Sequence, residues 1–563
     1  MSRKNRPWLF YDTTASVCTT CLRQVEAKVV IKGDEVFLDK WCPAHGSERV
    51  LIADDADYYR LCREVYVKAP EMPERFNTAM RHGCPYDCGL CPDHMQHSCL
   101  TVVEITEHCN LRCPVCYAES GPERQTHRSL AEIEAMLDAV VANEGEPDVV
   151  QLSGGEPTLH PDFFAILDAA KARPIRHLMI NTNGLRLARE PEFVAQLAAY
   201  KPGIEVYLQF DSLRNEVLQQ LRGADLAAIH ERALANLEIN GISTTLVMTV
   251  KRGLNDGEIG AVIRHGLNYR CVRGVTLQPV SDVGRNEDFV PARHRLTVNE
   301  VRRKVAEQSC LFTLDDIVPV PCNPDTLAMG YALKLAGEVR PLTRHLGPEA
   351  LLAGPRNTIV FERMVENAPA IKDAVFKLFS TNHAPEAQAN CLSELLCCLP
   401  AVAAPDLSYE NVFRVLIVQF MDAANLDLRA LKKSCVHFAL PDGRMIPFEA
   451  YNLFYRGGAF PADWPYPGRD SPGGRIAAVN RVGGSLRLKS APRLPSVRRL
   501  GDRVGDSAET SFSAGCLNGK GRFGLQGPAG NWSQLKGRCA RRSFFFSFFD
   551  CRRDRDALIC PQN

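Results

Sequence analysis

Three cysteines fall within eight residues in EHCNLRCPVCYAES: Cys109, Cys113 and Cys116, spaced Cys-x3-Cys-x2-Cys. Thiolates this close share one task. A [4Fe-4S] cluster takes four ligands, so three cysteines leave one iron with an open position. Such an iron can chelate the amino and carboxylate groups of S-adenosylmethionine. It can then pass one electron into the sulfonium, releasing methionine and a 5′-deoxyadenosyl radical, chemistry that belongs to the cofactor while the protein binds and orients it. The rival arrangement is a zinc ion with a fourth ligand from elsewhere.

Two further ligand sets precede this motif. Cys18-x-x-Cys21 is followed twenty residues later by Cys42-Pro-Ala-His45, and the intervening VEAKVVIKGDEVFLDKW alternates apolar and polar residues around a Lys-Gly-Asp turn. That pattern predicts a β-hairpin carrying two knuckles, a zinc-ribbon or rubredoxin-like module for zinc or mononuclear iron. The segment RHGCPYDCGLCPDHMQHSC then places Cys84, Cys88, Cys91 and Cys99 among glycines and prolines, where the backbone can wrap a second zinc or an iron–sulfur cluster. The chain holds 22 cysteines. Its start, MSRKNRPWLFYDTTASVC, has no apolar core of a signal peptide, so metal ligation is expected rather than disulfides.

The elements that must position these residues are legible as a rhythm of strand and helix. Strand-like runs lie at 100–106, 148–154, 177–184, 206–212, 243–250 and 273–280, with helical periodicity at 130–143, 162–172, 190–199, 225–239 and 256–268. Ser129-x-x-Glu132 is a capping box for the first of these helices. Six βα repeats predict an α/β fold, a parallel sheet curled into a partial (β/α)6 barrel with its site at the carboxyl ends of the strands. At those ends stand Gly154-Gly155-Glu156-Pro157, Asn183, Gln209 and Asp211, candidates for cofactor contacts. Further helices are expected at 296–308 and 408–422, the second extending an apolar stretch that could line a tunnel.

Composition bounds the rest. No run of residues is long and apolar enough to span a membrane. The net charge of +1 predicts no nucleic-acid partner, but it hides an asymmetry: residues 461–563 carry 18 Lys/Arg against 8 Asp/Glu. Residues 457–563 lose all periodicity and are expected to be disordered. A cytoplasmic location is expected. The rival view makes Arg541, Arg542 and the Phe544–Phe549 run a membrane-surface anchor.

Across residues 100–290 the chain resembles the radical S-adenosylmethionine superfamily, on the cysteine motif together with Gly-Gly-Glu-Pro. That resemblance implies that the backbone at Gly154–Pro157 holds the cofactor's amino group. A closer resemblance over residues 10–456 is to the tetraether lipid synthase and hydroxymethylpterin methyltransferase-like subfamily. It implies an N-terminal module over 1–80, a cysteine-rich segment over 81–100, a radical core over 101–290 and a region with auxiliary ligands over 291–456. Cys84, Cys88, Cys91, Cys99, Cys322 and Cys435 become candidate auxiliary iron–sulfur ligands. The segment PVPC departs from the family pattern, with Asn323 where a second cysteine is expected. The resemblance implies hydrogen abstraction and carbon–carbon bond formation on a lipid-like substrate, or alternatively methyl transfer to a pterin-like molecule. Ferredoxin or flavodoxin is the expected electron donor. An electron-transfer protein without turnover is the reading from another class. No residue is assigned a catalytic role.

Overall fold

The computed structural model describes residues 6–286, 288–335, 338–341, 343–345, 348–352 and 411–456. The expectation for residues 457–563 lies outside the described residues. The chain opens with an antiparallel sheet of β1 (Leu9–Val17), β2 (Gln24–Lys32), β3 (Glu35–Cys42) and β4 (Gly46–Ala53), paired in sequence order. Alternate residues Ala27, Val29 and Ile31 of β2 are buried against Val36 and Leu38, so the hairpin has one core face. Because β1 and β3 run in the same direction, the loops after Val17 and Cys42 meet at one end. Both ligand pairs sit there.

Six parallel strands follow in sequence order: β5 (Leu100–Thr106), β6 (Val149–Gly154), β7 (His177–Thr182), β8 (Ile204–Gln209), β9 (Thr244–Val250) and β10 (Val272–Pro279). They lie within three residues of the expected runs. Helices between them cover the outer face, where Ile133, Leu137, Leu152, Ile180, Val206 and Leu246 form one core. The Ser129–Glu132 capping box is formed. This is the expected partial barrel.

Both edges of the barrel are extended. β11 (Val318–Pro319), β12 (Leu327–Leu335) and β13 (Glu338–Pro341) lie beyond β14 (Val412–Val418), which runs parallel to β10; at the other edge β15 (Val436–Ala439) runs parallel to β5 and pairs with β16 (Met445–Pro447). The helix expected at 408–422 is therefore wrong. VFRVLIV is a central strand buried on both faces, where continuous apolar β-branched sequence has no alternation to distinguish it from a helix. A short helix at Asn215–Arg222 was also not anticipated.

The amino ends of the strands are closed by a charged plug. Nε2 of His177 lies 2.9 Å from a Glu205 carboxylate oxygen, and Thr245 Oγ1 donates to the other at 2.5 Å. Arg414 of β14 adds its positive charge. The opposite, carboxyl end is left open for a site. No described helix is long and apolar enough to cross a membrane.

Candidate metal and cofactor site

The loop leaving β5 carries Cys109, Cys113 and Cys116 over the open end of the barrel, the first two buried and the third half-buried. It is pinned to the segment after β10. Cys116 and Arg285 exchange two backbone hydrogen bonds of 2.9 Å, and Arg285 Nε donates to the Cys113 carbonyl at 2.6 Å. Gly284 has φ +65°, and a Cβ there would lie 2.5 Å from the Cys116 and Tyr117 carbonyls. First and sixth barrel strands are not neighbours in the sheet, so this contact bridges the gap between them. Tyr117 packs against Phe448 and its hydroxyl meets Ser153 Oγ at 3.2 Å.

Gly154 and Gly155 lie directly beneath that loop. A Cβ on either would come within 2.1 Å of a carbonyl oxygen, Thr106 for the first and His108 for the second. Only glycine permits the approach. The Gly155 and Glu156 amides donate to those same carbonyls at 2.8 Å, which fastens the end of β6 to the cysteine loop. Glu156 accepts from Thr158 Oγ1, Thr182 Oγ1 and the Asn183 amide at 2.6, 2.7 and 2.8 Å. Its buried carboxylate thus ties the ends of β6 and β7 together. Pro157 begins a buried turn and does not line the cavity.

Asn183 lines the site and donates to Asn110 Oδ1 of the cysteine loop at 2.8 Å. Gln209 donates to Asn181 Oδ1 at 2.7 Å and accepts from Arg222 at 2.8 Å. Asp211 departs from expectation. It is fully buried at φ +55°, faces Arg222 and the Thr249 amide, and does not line the cavity. Burial works against the Arg222 charge, but Asp211 more than restores it; burial also pushes the Cys113 thiol up, and the guanidinium offsets part of that rise. Sequence reasoning missed Arg222, since an arginine ending a short amphipathic helix looks like a solvated residue.

These groups surround a cavity of about 190 Å³ that runs down into the barrel. Its mouth holds the three cysteines, Gly154, Gly155 and Arg222. Its walls are Val102, Met179 and Leu416, with the polar side chains of Gln151, Tyr207, Thr276, Gln278 and Arg414 among them. Burial pushes the Cys109 thiol up to about 12, so metal binding here must release its proton.

The other cysteines sort into distinct groups. Cys18, Cys21, Cys42 and His45 bring their ligand atoms within 4.8 Å of one another, with Cys18 Sγ and Cys42 Sγ at 3.4 and 3.5 Å from His45 Nδ1, and Cys21 and Cys42 sulfurs at 3.9 Å. A tetrahedral ion with bonds of about 2.3 Å to sulfur and 2.0–2.1 Å to nitrogen predicts edges of about 3.5 and 3.8 Å. The fit is close. Cys99, Cys322 and Cys435 form a second compact set, although they come from three distant segments. Cys84, Cys88 and Cys91 are electrostatic neighbours in a separate loop packed against the 428–455 region, so the dense run 84–99 divides between two places. Neither they nor Cys109, Cys113 and Cys116 gather within 4.8 Å, as suits a cluster larger than one ion.

A parallel half-barrel with a cysteine loop above its open end is the build of a radical S-adenosylmethionine enzyme, with a [4Fe-4S] cluster and S-adenosylmethionine as cofactors. Residues 103–265 match the Radical SAM superfamily, and residues 10–54 match the HMPTM N-terminal zinc ribbon domain. More particularly, the chain is similar to 7,8-dihydro-6-hydroxymethylpterin dimethyltransferase of Methanocaldococcus jannaschii, 27% identical over 482 residues that cover 79% of this chain and 94% of that one. Shorter likenesses are to mycofactocin maturase MftC of Mycobacterium ulcerans (31% over 207 residues, 36% of this chain and 53% of that) and GTP 3′,8-cyclase of Syntrophomonas wolfei (29% over 197 residues, 34% and 59%).

Proposed function

We propose that this chain is a radical methyltransferase acting on a pterin-like small molecule, with its cluster held by Cys109, Cys113 and Cys116. One observation carries the choice of substrate. Gln151 is buried in the cavity wall, and among the described residues its Nε2 has no hydrogen-bond partner. An unsatisfied buried donor costs about 1–3 kcal/mol. A heterocycle with carbonyl and ring-nitrogen acceptors relieves that cost, and a hydrocarbon chain does not. Gln278 Nε2 donates to the Tyr207 hydroxyl at 3.1 Å, adding polar groups to the same cavity. The likeness over 94% of a pterin dimethyltransferase points the same way. The lipid reading has no comparable support.

In this reading the Gly154 and Gly155 carbonyls receive the amino group of S-adenosylmethionine, and Arg222 meets its carboxylate. When bound, the cluster would supply the electron that cleaves S-adenosylmethionine and so the radical chemistry that activates a substrate C–H bond. Val102, Met179 and Leu416 keep water from the lumen, while Gln151 fixes the substrate's polar edge. The test is incubation of the protein with excess reductant, S-adenosylmethionine, 7,8-dihydro-6-hydroxymethylpterin and a one-carbon donor, either further S-adenosylmethionine or a methylene-tetrahydropterin, from which the methyl group comes. Expected are 5′-deoxyadenosine and a pterin whose mass has risen by one or two methyl-for-hydrogen replacements. Cleavage stimulated by an isoprenoid lipid but not by the pterin would overturn the reading.

A further inference from the structure

The cysteine loop has two faces. Leu111, Cys113 and Cys116 line the cavity inside the barrel, while Arg112 and Pro114 line a separate groove of about 310 Å³ on the outside. Val115 lines both, so the wall between them is one residue thick. We infer that this outer groove is the docking surface for an acidic one-electron carrier protein, which reduces the cluster through the loop. The inference rests on Cys109, Cys113 and Cys116 holding that cluster.

The groove is built for a negatively charged surface. Of its lining side chains Arg112, Lys251 and Arg285 are cationic and Asp288 alone is anionic. Arg112 is exposed and Lys251 half-buried, and neither forms an ion pair among the described residues. Arg285 donates to the Cys113 and Ser120 carbonyls at 2.6 and 2.5 Å, neutral acceptors that leave its charge uncancelled. Burial, Lys251 and Arg293 together lower the His294 pKa, so Arg293 continues the positive charge beyond Lys251. Glu123, beside Arg112 and Arg285, opposes part of it.

Position decides the kind of partner. With S-adenosylmethionine on the cavity side of the loop, an electron must arrive from the outside, and the groove is where the covering is thinnest. Exposed Pro114 and half-buried Val115 give it an apolar centre within the cationic rim. Charge steers the encounter, and a small contact suits a carrier that must leave again. The step moves one electron and no atom: the carrier is oxidised by one, and the cluster is reduced by one.

The full-length protein, purified without oxygen, is compared as wild type, Arg112→Glu/Lys251→Glu, Lys251→Glu alone, and the control Lys28→Glu/Lys32→Glu. The control makes the same change of net charge at exposed positions of β2. Flavodoxin, an acidic protein, is the probe. Its binding is titrated at low and high salt, and 5′-deoxyadenosine formation is driven either by reduced flavodoxin or by dithionite. Wild type is expected to bind flavodoxin with an affinity that falls as salt rises. The double variant should bind it at least about 10-fold more weakly and slow flavodoxin-driven cleavage to match, with dithionite-driven cleavage unchanged. Lys251→Glu, off the cysteine loop, should show part of the same loss and keeps the test decisive if Arg112→Glu disturbs the loop. Undiminished flavodoxin binding in both variants, an equal loss in the control, or an equal loss of dithionite-driven cleavage in Lys251→Glu would each overturn the docking site. Absence of dithionite-driven cleavage in wild type would instead count against the cluster assignment, and binding would still decide the docking site.

Discussion

At the scale of single residues, side chains at the site divide into those that face the cavity and those that hold them there. Arg222 reaches the cavity only because Asp211, buried behind it, offsets the cost of burying its charge. Glu156 spends its carboxylate on Thr158, Thr182 and Asn183, and so holds Asn183 at the cavity that it also lines. The three cysteines carry less of the structure: Cys109 Sγ receives the Leu111 amide at 3.4 Å, and Cys113 faces Arg222. Replacing Cys109, Cys113 and Cys116 together by Ala should therefore spare the fold. It is expected to remove about four irons per chain and to abolish 5′-deoxyadenosine formation. The N-terminal ion should stay. Iron analysis and chromatography of the reaction check both halves, and undiminished cleavage would mean that the cluster is held elsewhere.

At the scale of elements, a strand end and a loop are fitted to each other without spare room. Gly155 lets β6 run under the cysteine loop, where any Cβ would meet the His108 carbonyl at 2.1 Å. The obstacle is backbone, one residue before Cys109, so it cannot swing aside as a side chain would. Gly155→Ala is expected to displace the loop and lower iron loading well below wild type, while the sheet and its covering helices persist. Circular dichroism with iron quantitation tests this, and full loading would show that the loop has slack. Arg285 works from the other side, clamping the same loop to the end of β10.

At the scale of the whole molecule, the barrel is open at one end and plugged at the other. Burial alone would push the Glu205 carboxyl up, but the hydrogen bond and charge of His177, with Arg414 and Thr245, hold it well below the usual carboxylate range. A depressed folded-state pKa contributes stability that is present above the unfolded value and lost as pH falls below it. Glu205→Gln strands the Arg414 charge in the plug and should destabilise the protein by about 3–5 kcal/mol near neutrality. That deficit should shrink as the pH is lowered from about 4.5. Urea unfolding of both proteins at about pH 7 and about pH 4 measures it, and a pH-independent difference would remove the charge from the account. The N-terminal sheet is likewise joined to the body. Lys40 is buried with its ammonium on the Val17, Ala423 and Ala424 carbonyls at 2.9–3.1 Å, and Thr14 donates to Asp427 at 2.6 Å.

What the sequence determined by itself was local. Ligands three or four residues apart share a loop whatever the fold does, so the N-terminal metal set and the Cys109–Cys113–Cys116 loop were legible, as were the six barrel strands with their covering helices. Glycine pairs were legible as a motif, but the carbonyls that require them were not. Tertiary structure decided everything that depends on distant residues. It turned 412–418 from an expected helix into a central strand, because burial on both faces erases the periodicity that separates the two. It moved Asp211 from the cofactor to Arg222, and it split Cys99 from Cys84, Cys88 and Cys91 to join Cys322 and Cys435. Pairing of β5 with β15 sets Cys99 beside Cys435, and Cys322 joins them from the loop between β11 and β12.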